Sequence, residues 1–174
     1  DFDPETRPKI VMASERLISL SKTDWDSREI SWDFCESPLL AERPPKTLSL
    51  EGAFLRFVER QAAVLANFAE LECELNSIFI HALDLGDLLS APVPRKALSL
   101  STCLEYRFDV DQAAEEHKVR FRAEISAELV SYIVGCVMGR YSISEPGLIY
   151  AGGGNLGFDQ NRYDRRFPAD TDGI

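Results

Sequence analysis

Four glycines near the C-terminal end of the chain could form a loop that binds phosphate. They occupy positions 152, 153, 154 and 157, and glycine-rich loops hold phosphate groups through their backbone N–H groups. A P-loop also needs a Lys followed by Ser or Thr after its last glycine, and a dinucleotide-binding turn needs a helix that begins there. Phe158, Asp159 and Gln160 follow instead. The pattern therefore argues against a phosphate-binding loop of either type.

A small basic cluster is the second feature that could bind a ligand. Arginine side chains close to an aromatic ring can contact a DNA phosphate or a base edge. The candidate DNA-contact residues are Arg140, Tyr141, Arg162, Arg165 and Arg166. The alternative is that these arginines form salt bridges with acidic neighbours. In a chain with 29 Asp and Glu residues, salt bridges are the commoner outcome.

The cysteines and histidines predict neither a metal centre nor a catalytic triad. The four cysteines stand 30 or more residues apart without a CxxC pair, and the two histidines lack a nearby nucleophile signature. The run Asp-Thr-Asp-Gly at residues 170–173 is similar to part of a calcium loop, but Pro168 occupies the first ligand position. We therefore expect no catalytic residue, cofactor-binding residue or metal ligand in this chain.

Composition and charge limit the class of protein. The chain has 174 residues, enough for one domain with a real core, and a net charge of -10. An acidic surface repels nucleic-acid phosphates, so any DNA contact must be local. Cys73 and Cys136 fall in apolar helical patterns that favour reduced thiols, and no secretory signal or membrane span is visible. We expect a cytoplasmic protein without a membrane partner, and the start at Asp1 suggests a fragment.

Helical periodicity predicts the elements that must position these residues, and with them a mainly α fold. The longest pattern runs from Ser49, which with Thr47 is a candidate cap, to Leu83. A second apolar helix covers residues 127–142, where Gly135 and Gly139 stand one turn apart and predict close packing on a neighbouring element. We expect the long helix to pack on this central one. Apolar Leu129, Ile133, Cys136 and Val137 are its predicted inward residues.

Shorter patterns complete the predicted architecture. A helix over residues 8–21 would turn Val11, Ile18 and Leu17 inward, and a charged helical stretch at 109–122 leads into the central helix. Residues 96–108 alternate loosely and predict either one or two short strands or extended chain. Trp25, Trp32 and Phe34 lie in an aperiodic loop, and we expect their rings to pack on the domain; the alternative, a base-stacking or ligand platform, is opposed by the three aspartates in the same loop. The predicted segments are 1–46, 47–145 and 146–174.

Several phrases of the sequence resemble those of a known enzyme family. They are DWDS at residues 24–27, SWDF at 31–34, PLL at 38–40, ELNSIFI at 74–80, SYIVGCVMGRYS at 131–142 and PGL at 146–148. In order and approximate spacing they look like the large adenine-specific DNA methyltransferases of BREX phage-defence systems. The resemblance covers most of residues 11–174 and departs most from the family between Pro146 and Phe167.

The resemblance implies that the parent protein methylates adenine N6 in DNA with S-adenosylmethionine, in a phage-defence or restriction-modification system. Such chemistry needs a glycine-rich turn for the methyl donor and an Asn-Pro-Pro-Tyr-type loop for the flipped adenine, and neither occurs in this sequence. The chain would then be the helical connector between catalytic and target-recognition parts, with DNA as a partner of the parent protein. The alternative is an acidic helical scaffold that binds other defence proteins.

Overall fold

The computed structural model describes residues 4–41, 49–108, 114–154 and 156–170, and within these ranges the fold is mainly α, as predicted. The helices are α1 Thr6–Asp26, α2 Pro38–Ala41, α3 Leu50–Ala82, α4 Leu104–Arg107 and α5 Ala114–Val137, with 3₁₀ turns at Arg95–Ala97 and Gln160–Arg162. No strand occurs in the described parts of the chain. The strand alternative for residues 96–108 is therefore wrong, because local i to i+3 and i to i+4 hydrogen bonds form a 3₁₀ turn and α4 there.

The chain divides into two compact units. Unit 1 comprises Asp1–Trp25 and Val58–Lys118, and unit 2 comprises Asp26–Phe57 and Val119–Ile174. Each of α1, α3 and α5 contributes residues to both units. The three predicted segments remain a prediction, and the boundary expected at residues 46 and 47 lies outside the described residues.

Helix α3 confirms the longest predicted pattern. It runs unbroken for 33 residues, a length of about 50 Å at 1.5 Å per residue. The Ser49 hydroxyl accepts a hydrogen bond from the Gly52 amide at 3.1 Å, which satisfies one of the free N–H groups at the helix start. Asn76, a polar residue on this mainly apolar helix, donates to the Ala91 carbonyl at 3.1 Å, so its amide serves a structural hydrogen bond.

Unit 1 has an aliphatic core. Its buried members are Leu65, Phe68, Leu98, Leu100 and Cys103, against which Leu17 and Leu20 of α1 pack. The prediction that Val11 and Ile18 face inward is wrong, since both are exposed. Positions 13, 17 and 20 form the inward stripe of α1, and positions 11 and 18 fall on the opposite side of a helix with 3.6 residues per turn.

Unit 2 has an aromatic core. The inward stripe of α5 consists of Phe121, Ile125, Leu129, Tyr132 and Cys136. The prediction that Ile133 and Val137 are buried is wrong, because the apolar residues of α5 cover two faces and Tyr132 occupies the inner one. The long helix meets α5 where the rings of Phe57 and Phe121 stack with centroids 6.2 Å apart.

The loop after α1 is anchored by Phe34 rather than by tryptophan. Phe34 is buried and meets the Tyr132 ring edge-on, with centroids 5.9 Å apart. Trp32 is 97% exposed and Trp25 is 56% exposed, so the prediction that both indole rings pack on the domain is wrong. Trp25 also lies in the last turn of α1 rather than in the predicted loop. Phe34 alone reaches the aromatic cluster, while the Ser31 hydroxyl donates to Asp26 at 2.7 Å in the turn just before Trp32.

Candidate DNA-contact region at the end of helix α5

Helix α5 ends in a glycine-dependent turn that positions Arg140. The Arg140 amide donates to the Gly135 carbonyl at 2.7 Å, and the Gly139 amide donates to the Cys136 carbonyl at 3.1 Å. Together with a φ of +77° at Gly139, this is a Schellman motif, which ends a helix at a left-handed residue. The prediction of a continuous helix through Gly139 is therefore wrong. The two glycines lie at the end of α5 and do not form one face of a continuous helix.

Both glycines nevertheless allow close packing, and their neighbours are aromatic rings. A Cβ atom at Gly135 would lie 2.6 Å from Cδ2 of Tyr141. A Cβ atom at Gly139 would lie 2.7 Å from Cε2 of Phe158. Such separations are far inside van der Waals contact. Glycine at these positions thus lets the chain that follows α5 fold back against the helix end.

Glu29 collects three donors from α5 and the residues that follow it. The Ser131 hydroxyl donates to Oε2 at 2.6 Å, while the Tyr141 hydroxyl at 3.2 Å and Arg140 Nη1 at 3.3 Å reach Oε1. Burial raises the pKa of Tyr141, and the Glu29 carboxylate raises it further. Next to it, Arg28 pairs with Glu128 at 2.5 Å. The loop after α1 is therefore tied to α5 by charge as well as by Phe34.

The C-terminal residues close over the same helix end. The Tyr163 hydroxyl donates to the Gly139 carbonyl at 2.5 Å, and the Asp170 amide donates to the Val137 carbonyl at 2.7 Å. The rings of Phe158 and Tyr163 stack with centroids 5.4 Å apart. These bonds satisfy carbonyl groups that a helix end leaves without intrahelical partners.

The predicted DNA-contact arginines lie in this region, and several pair with acidic side chains. Arg162 binds Glu145 at 2.8 Å and also donates to the Ile149 carbonyl at 3.3 Å. Arg166 binds Asp164 at 3.1 Å, and its hydrogen bonds lower the pKa of that carboxyl group. Salt bridges, the alternative that the composition favoured, thus occur in the structure.

The remaining two candidates differ in exposure. Arg165 is exposed, whereas the Tyr141 ring is buried in the aromatic core of unit 2 and presents its hydroxyl to Glu29. DNA contact by any of the five candidates stays a prediction.

A cavity of about 350 Å³ opens beside the helix end. It is lined by Met138, Arg140, Tyr150, Ala151, Gly152, Gly153 and Gly154. Within the described part of the chain the buried Tyr150 hydroxyl has no hydrogen-bond partner, and its ring packs edge-on against Phe158 with centroids 5.4 Å apart. The structure therefore brings the glycine loop and Arg140 together, although they are separate features of the sequence.

Sequence reasoning missed Glu29 and Tyr150. Glu29 is one of many acidic residues and carries no distinguishing spacing. The position of Tyr150 directly before Ala-Gly-Gly-Gly was an available signal, since a large polar side chain beside small residues is typical of a cavity wall.

The described ranges contain neither a metal centre nor a membrane-spanning helix. Within them, no group of three or more His, Cys, Asp and Glu side chains is arranged to hold a metal ion. The four cysteines are free thiols. No helix in the described portions is both long enough and apolar enough to cross a bilayer.

Comparison with known proteins indicates the class of protein to which the chain is related. It is similar to adenine-specific methyltransferases along nearly its whole length. No known family profile matches the chain.

Two relatives are BrxX and PglX. The chain is 31% identical to the adenine-specific methyltransferase BrxX of Escherichia coli O9:H4 (strain HS) over 164 residues, which are 92% of this chain and 13% of that protein. It is 33% identical to the adenine-specific methyltransferase PglX of Lacticaseibacillus casei (strain Zhang) over 167 residues, 95% of this chain and 12% of that protein. The resemblance to PglX-like methyltransferases of BREX systems is confirmed, and the chain spans about an eighth of the length of these relatives.

Proposed function

We propose that this chain is the helical connector of a site-specific adenine-N6 DNA methyltransferase of a bacterial phage-defence or restriction-modification system. In this role it links the catalytic part to the target-recognition part of the parent protein. The observation that carries the proposal is the match of nearly the entire chain to a small segment of BrxX and PglX. The sequence also contains neither the methyl-donor turn nor the adenine-binding loop that the reaction requires.

The contacts in unit 2 support this proposal. The two phrases most characteristic of the resemblance, SWDF at residues 31–34 and SYIVGCVMGRYS at 131–142, pack on each other. Phe34 lies edge-on to Tyr141 with ring centroids 5.4 Å apart, and Glu29 holds Ser131 and Arg140. The two sequence phrases that match the family therefore contact each other and hold the loop after α1 against the end of α5. A connector between two working parts needs such a fixed arrangement.

The parent protein, under this proposal, binds S-adenosylmethionine and the target adenine through residues outside this chain. Its partner is DNA, and the protein works in the cytoplasm. The chain's own task is positional, because methyl transfer requires the two parts to present one adenine to one methyl group. A displacement of about 1 Å, even far from the reacting atoms, can lower a rate by about 100-fold.

The substitution Gly135→Ala in the full-length protein tests the connector role. The added Cβ would meet the Tyr141 ring at 2.6 Å and displace the chain after α5. We expect DNA methylation, measured as kcat/KM on a duplex with the target site, to fall by roughly tenfold or more. The affinity for S-adenosylmethionine, measured by calorimetry, should not change.

Gly86→Ala is the matched control, because a Cβ at Gly86 meets nothing within 4 Å. It should leave both measurements as in the unaltered protein. Methylation that survives Gly135→Ala, in a protein whose Tyr141 contact is shown to have moved, would count against the connector. A loss of S-adenosylmethionine affinity would place the methyl-donor site closer to this chain than we propose.

The alternative function is a scaffold that docks other defence proteins, and one observation favours it. Trp32 is 97% exposed and Ile30 is 71% exposed on the same loop, and large exposed apolar side chains are typical of interaction sites. In the full-length protein, Trp32→Ala would then abolish capture of a stoichiometric partner while methylation continues. Methylation that falls without any lost partner would favour the connector.

A further inference from the structure

We propose that the cavity beside Arg140 binds one phosphate group of the DNA backbone. The cavity is the space of about 350 Å³ lined by Met138, Arg140, Tyr150, Ala151 and the glycines at 152–154. This inference rests on the proposed function, since it takes the parent protein to act on DNA. It adds the site, the ligand group and the residues that hold it.

The first argument is the charge at the cavity wall. Arg140 is about half exposed and uses one guanidinium nitrogen to reach Glu29 at 3.3 Å. Of the three hydrogen bonds that Glu29 accepts, this one is the longest; those from the Ser131 and Tyr141 hydroxyls are shorter. Arginine carries five N–H donors in a planar fork that suits phosphate oxygens. Glu29 therefore acts as a positioning residue that fixes the guanidinium, and the described residues offer no second carboxylate partner to its other donors.

The second argument is a polar group that the described residues leave unsatisfied. Among them, the buried Tyr150 hydroxyl has no hydrogen-bond partner. A buried hydroxyl without a partner costs about 1–3 kcal/mol, so a native structure normally supplies one. The hydroxyl oxygen is shielded from solvent and lies 2.9 Å from the position a Cβ atom would take at Gly152, so a phosphate oxygen would accept this hydrogen bond once the glycine loop moves aside. The ring of Tyr150 is held in place by Phe158.

The third argument is the space beside the glycines. Among the described residues, a Cβ atom at Gly153 or Gly154 would meet nothing within 4 Å. Packing against these residues therefore does not explain the missing side chain at Gly153, whose φ also lies outside the left-handed region. Glycine is the usual residue where a backbone approaches a ligand closely. Open space beside the glycine backbone and a guanidinium on one wall together suit a single phosphate with its adjoining sugar.

A backbone phosphate fits the overall charge better than an extended DNA-binding face. The chain has a net charge of -10, and Arg162 and Arg166 each pair with an acidic neighbour. The acidic surface repels DNA phosphates, and only a local contact of the kind that the cavity offers avoids this repulsion. Such a contact fixes the register of the duplex without reading its sequence.

Salt-dependent DNA binding by the full-length protein tests the site. Affinity for a labelled duplex is measured by fluorescence anisotropy over a series of salt concentrations. Arg140→Gln should weaken binding about tenfold and lower the slope of log affinity against log salt by about one. Arg140→Lys should keep the slope, because the charge remains. Tyr150→Phe should weaken binding severalfold without changing the slope, because the lost hydroxyl is neutral.

Gly153→Val provides a variant that fills the cavity. Because the space there is open, folding should be unaffected while affinity falls. Arg56→Gln is the control, since Arg56 is an exposed arginine of α3 in unit 2 that does not line the cavity, and it should change neither affinity nor slope. Adding inorganic phosphate or a mononucleotide as competitor distinguishes the sources of the phosphate group. Competition by millimolar free phosphate as strong as that by unlabelled duplex would overturn the DNA assignment.

The outcomes for this site and for the connector are separable. An unchanged slope for Arg140→Gln and unchanged affinity for Gly153→Val would overturn the phosphate site, even if Gly135→Ala still impairs methylation. A reduced slope for Arg140→Gln in a protein whose methylation is insensitive to Gly135→Ala would retain the phosphate site and reject the connector.

Discussion

The two units reach similar burial with different chemistry. Unit 1 is centred on Leu65, Phe68, Leu98, Leu100 and Cys103, a mainly aliphatic cluster. Unit 2 is centred on Phe34, Tyr132, Cys136 and Tyr141, and its tyrosines bond to polar partners at the edge of the core. Most of the acidic excess of the chain falls in unit 1. Unit 2, closer to neutral, contains the predicted DNA-contact residues.

The difference indicates a division between stability and positioning. Aliphatic packing stabilises the fold but does not fix the orientation of particular side chains, because dispersion and the hydrophobic effect depend mainly on buried area. Rings with hydroxyl groups add geometry, since each hydrogen bond fixes the orientation of a side chain. In unit 2 these bonds connect the core to Glu29, to the Ser142 carbonyl and to the Gly139 carbonyl. The core of unit 2 thus fixes the segments that surround the cavity.

The largest effect is expected from Phe34→Ala in unit 2. Phe34 is buried between Tyr132 and Tyr141, and loss of a buried phenylalanine ring typically lowers the free energy of unfolding by about 3–5 kcal/mol. Urea denaturation followed by circular dichroism measures this change. Trp32→Ala, two residues earlier and exposed, should change the free energy of unfolding by less than about 0.5 kcal/mol. Equal effects would mean that the loop is not anchored as described.

A matching loss in unit 1 is expected from Leu100→Ala. Leu100 is fully buried in the aliphatic cluster, so its truncation should cost about 2–5 kcal/mol. Hydrogen exchange resolved by peptide should show the loss of protection chiefly in the segments of unit 1. Protection lost to the same extent in unit 2 would show that the two cores form one cooperative structure and would end the comparison.

A smaller effect, confined to unit 2, is expected from Gly139→Ala. The residue has a φ of +77°, and its Cβ would lie 2.7 Å from Phe158. Left-handed strain alone costs about 1–3 kcal/mol. The Tyr163 hydrogen bond to the Gly139 carbonyl should weaken, which proton exchange of that hydroxyl or of nearby amides would detect. Gly86→Ala serves again as the control without strain or contact.

The smallest effect concerns alkaline pH. Burial raises the pKa of Tyr132 and of Tyr141 above the ordinary value of about 10. The resulting stability is fully present below about pH 10 and is lost as pH rises toward the folded-state pKa. Each unit also holds a buried thiol with a raised pKa, Cys103 in unit 1 and Cys136 in unit 2. Because both cores contain such a thiol, the tyrosines of unit 2 are what should make the stability of the two units differ at alkaline pH.

Tyr141→Phe tests the alkaline effect. The variant should lose stability less steeply than the unaltered chain when urea midpoints are compared between pH 9 and pH 11, although it forfeits about 1 kcal/mol with the Glu29 hydrogen bond at neutral pH. Identical slopes in both proteins would show that Tyr141 titrates normally.

Periodicity predicted the long helices well and their inward faces less well. α3 begins and ends within a residue of the expected bounds, because a stripe of that length leaves no competing pattern. In α5, apolar residues cover two faces, so the sequence alone did not distinguish Ile133 from Tyr132. Which of the two side chains is buried depends on which fits beside Phe34, and that is a tertiary contact that periodicity does not encode.

The candidate site was harder to predict than the helices. The spacing of Gly135 and Gly139 suits both a helix interface and a helix end, and only the positive φ of Gly139 decides between them. The arginines were identifiable by type, but their acidic partners and the cavity depend on how distant segments meet. Glu29 entered the site for that reason, without a local signal, whereas Tyr150 had a local signal in its position directly before the glycine run.

Trp32 also gives the chain a built-in optical reporter. The chain contains two tryptophans, and both indoles are largely reached by water in the folded state. Their emission should therefore be red-shifted and readily quenched by acrylamide before any denaturant is added, and unfolding should change the spectrum little. Burial of Trp32 by another polypeptide would shift the emission to shorter wavelength. The intrinsic fluorescence of this chain is consequently a sensitive signal of docking and a poor one of unfolding.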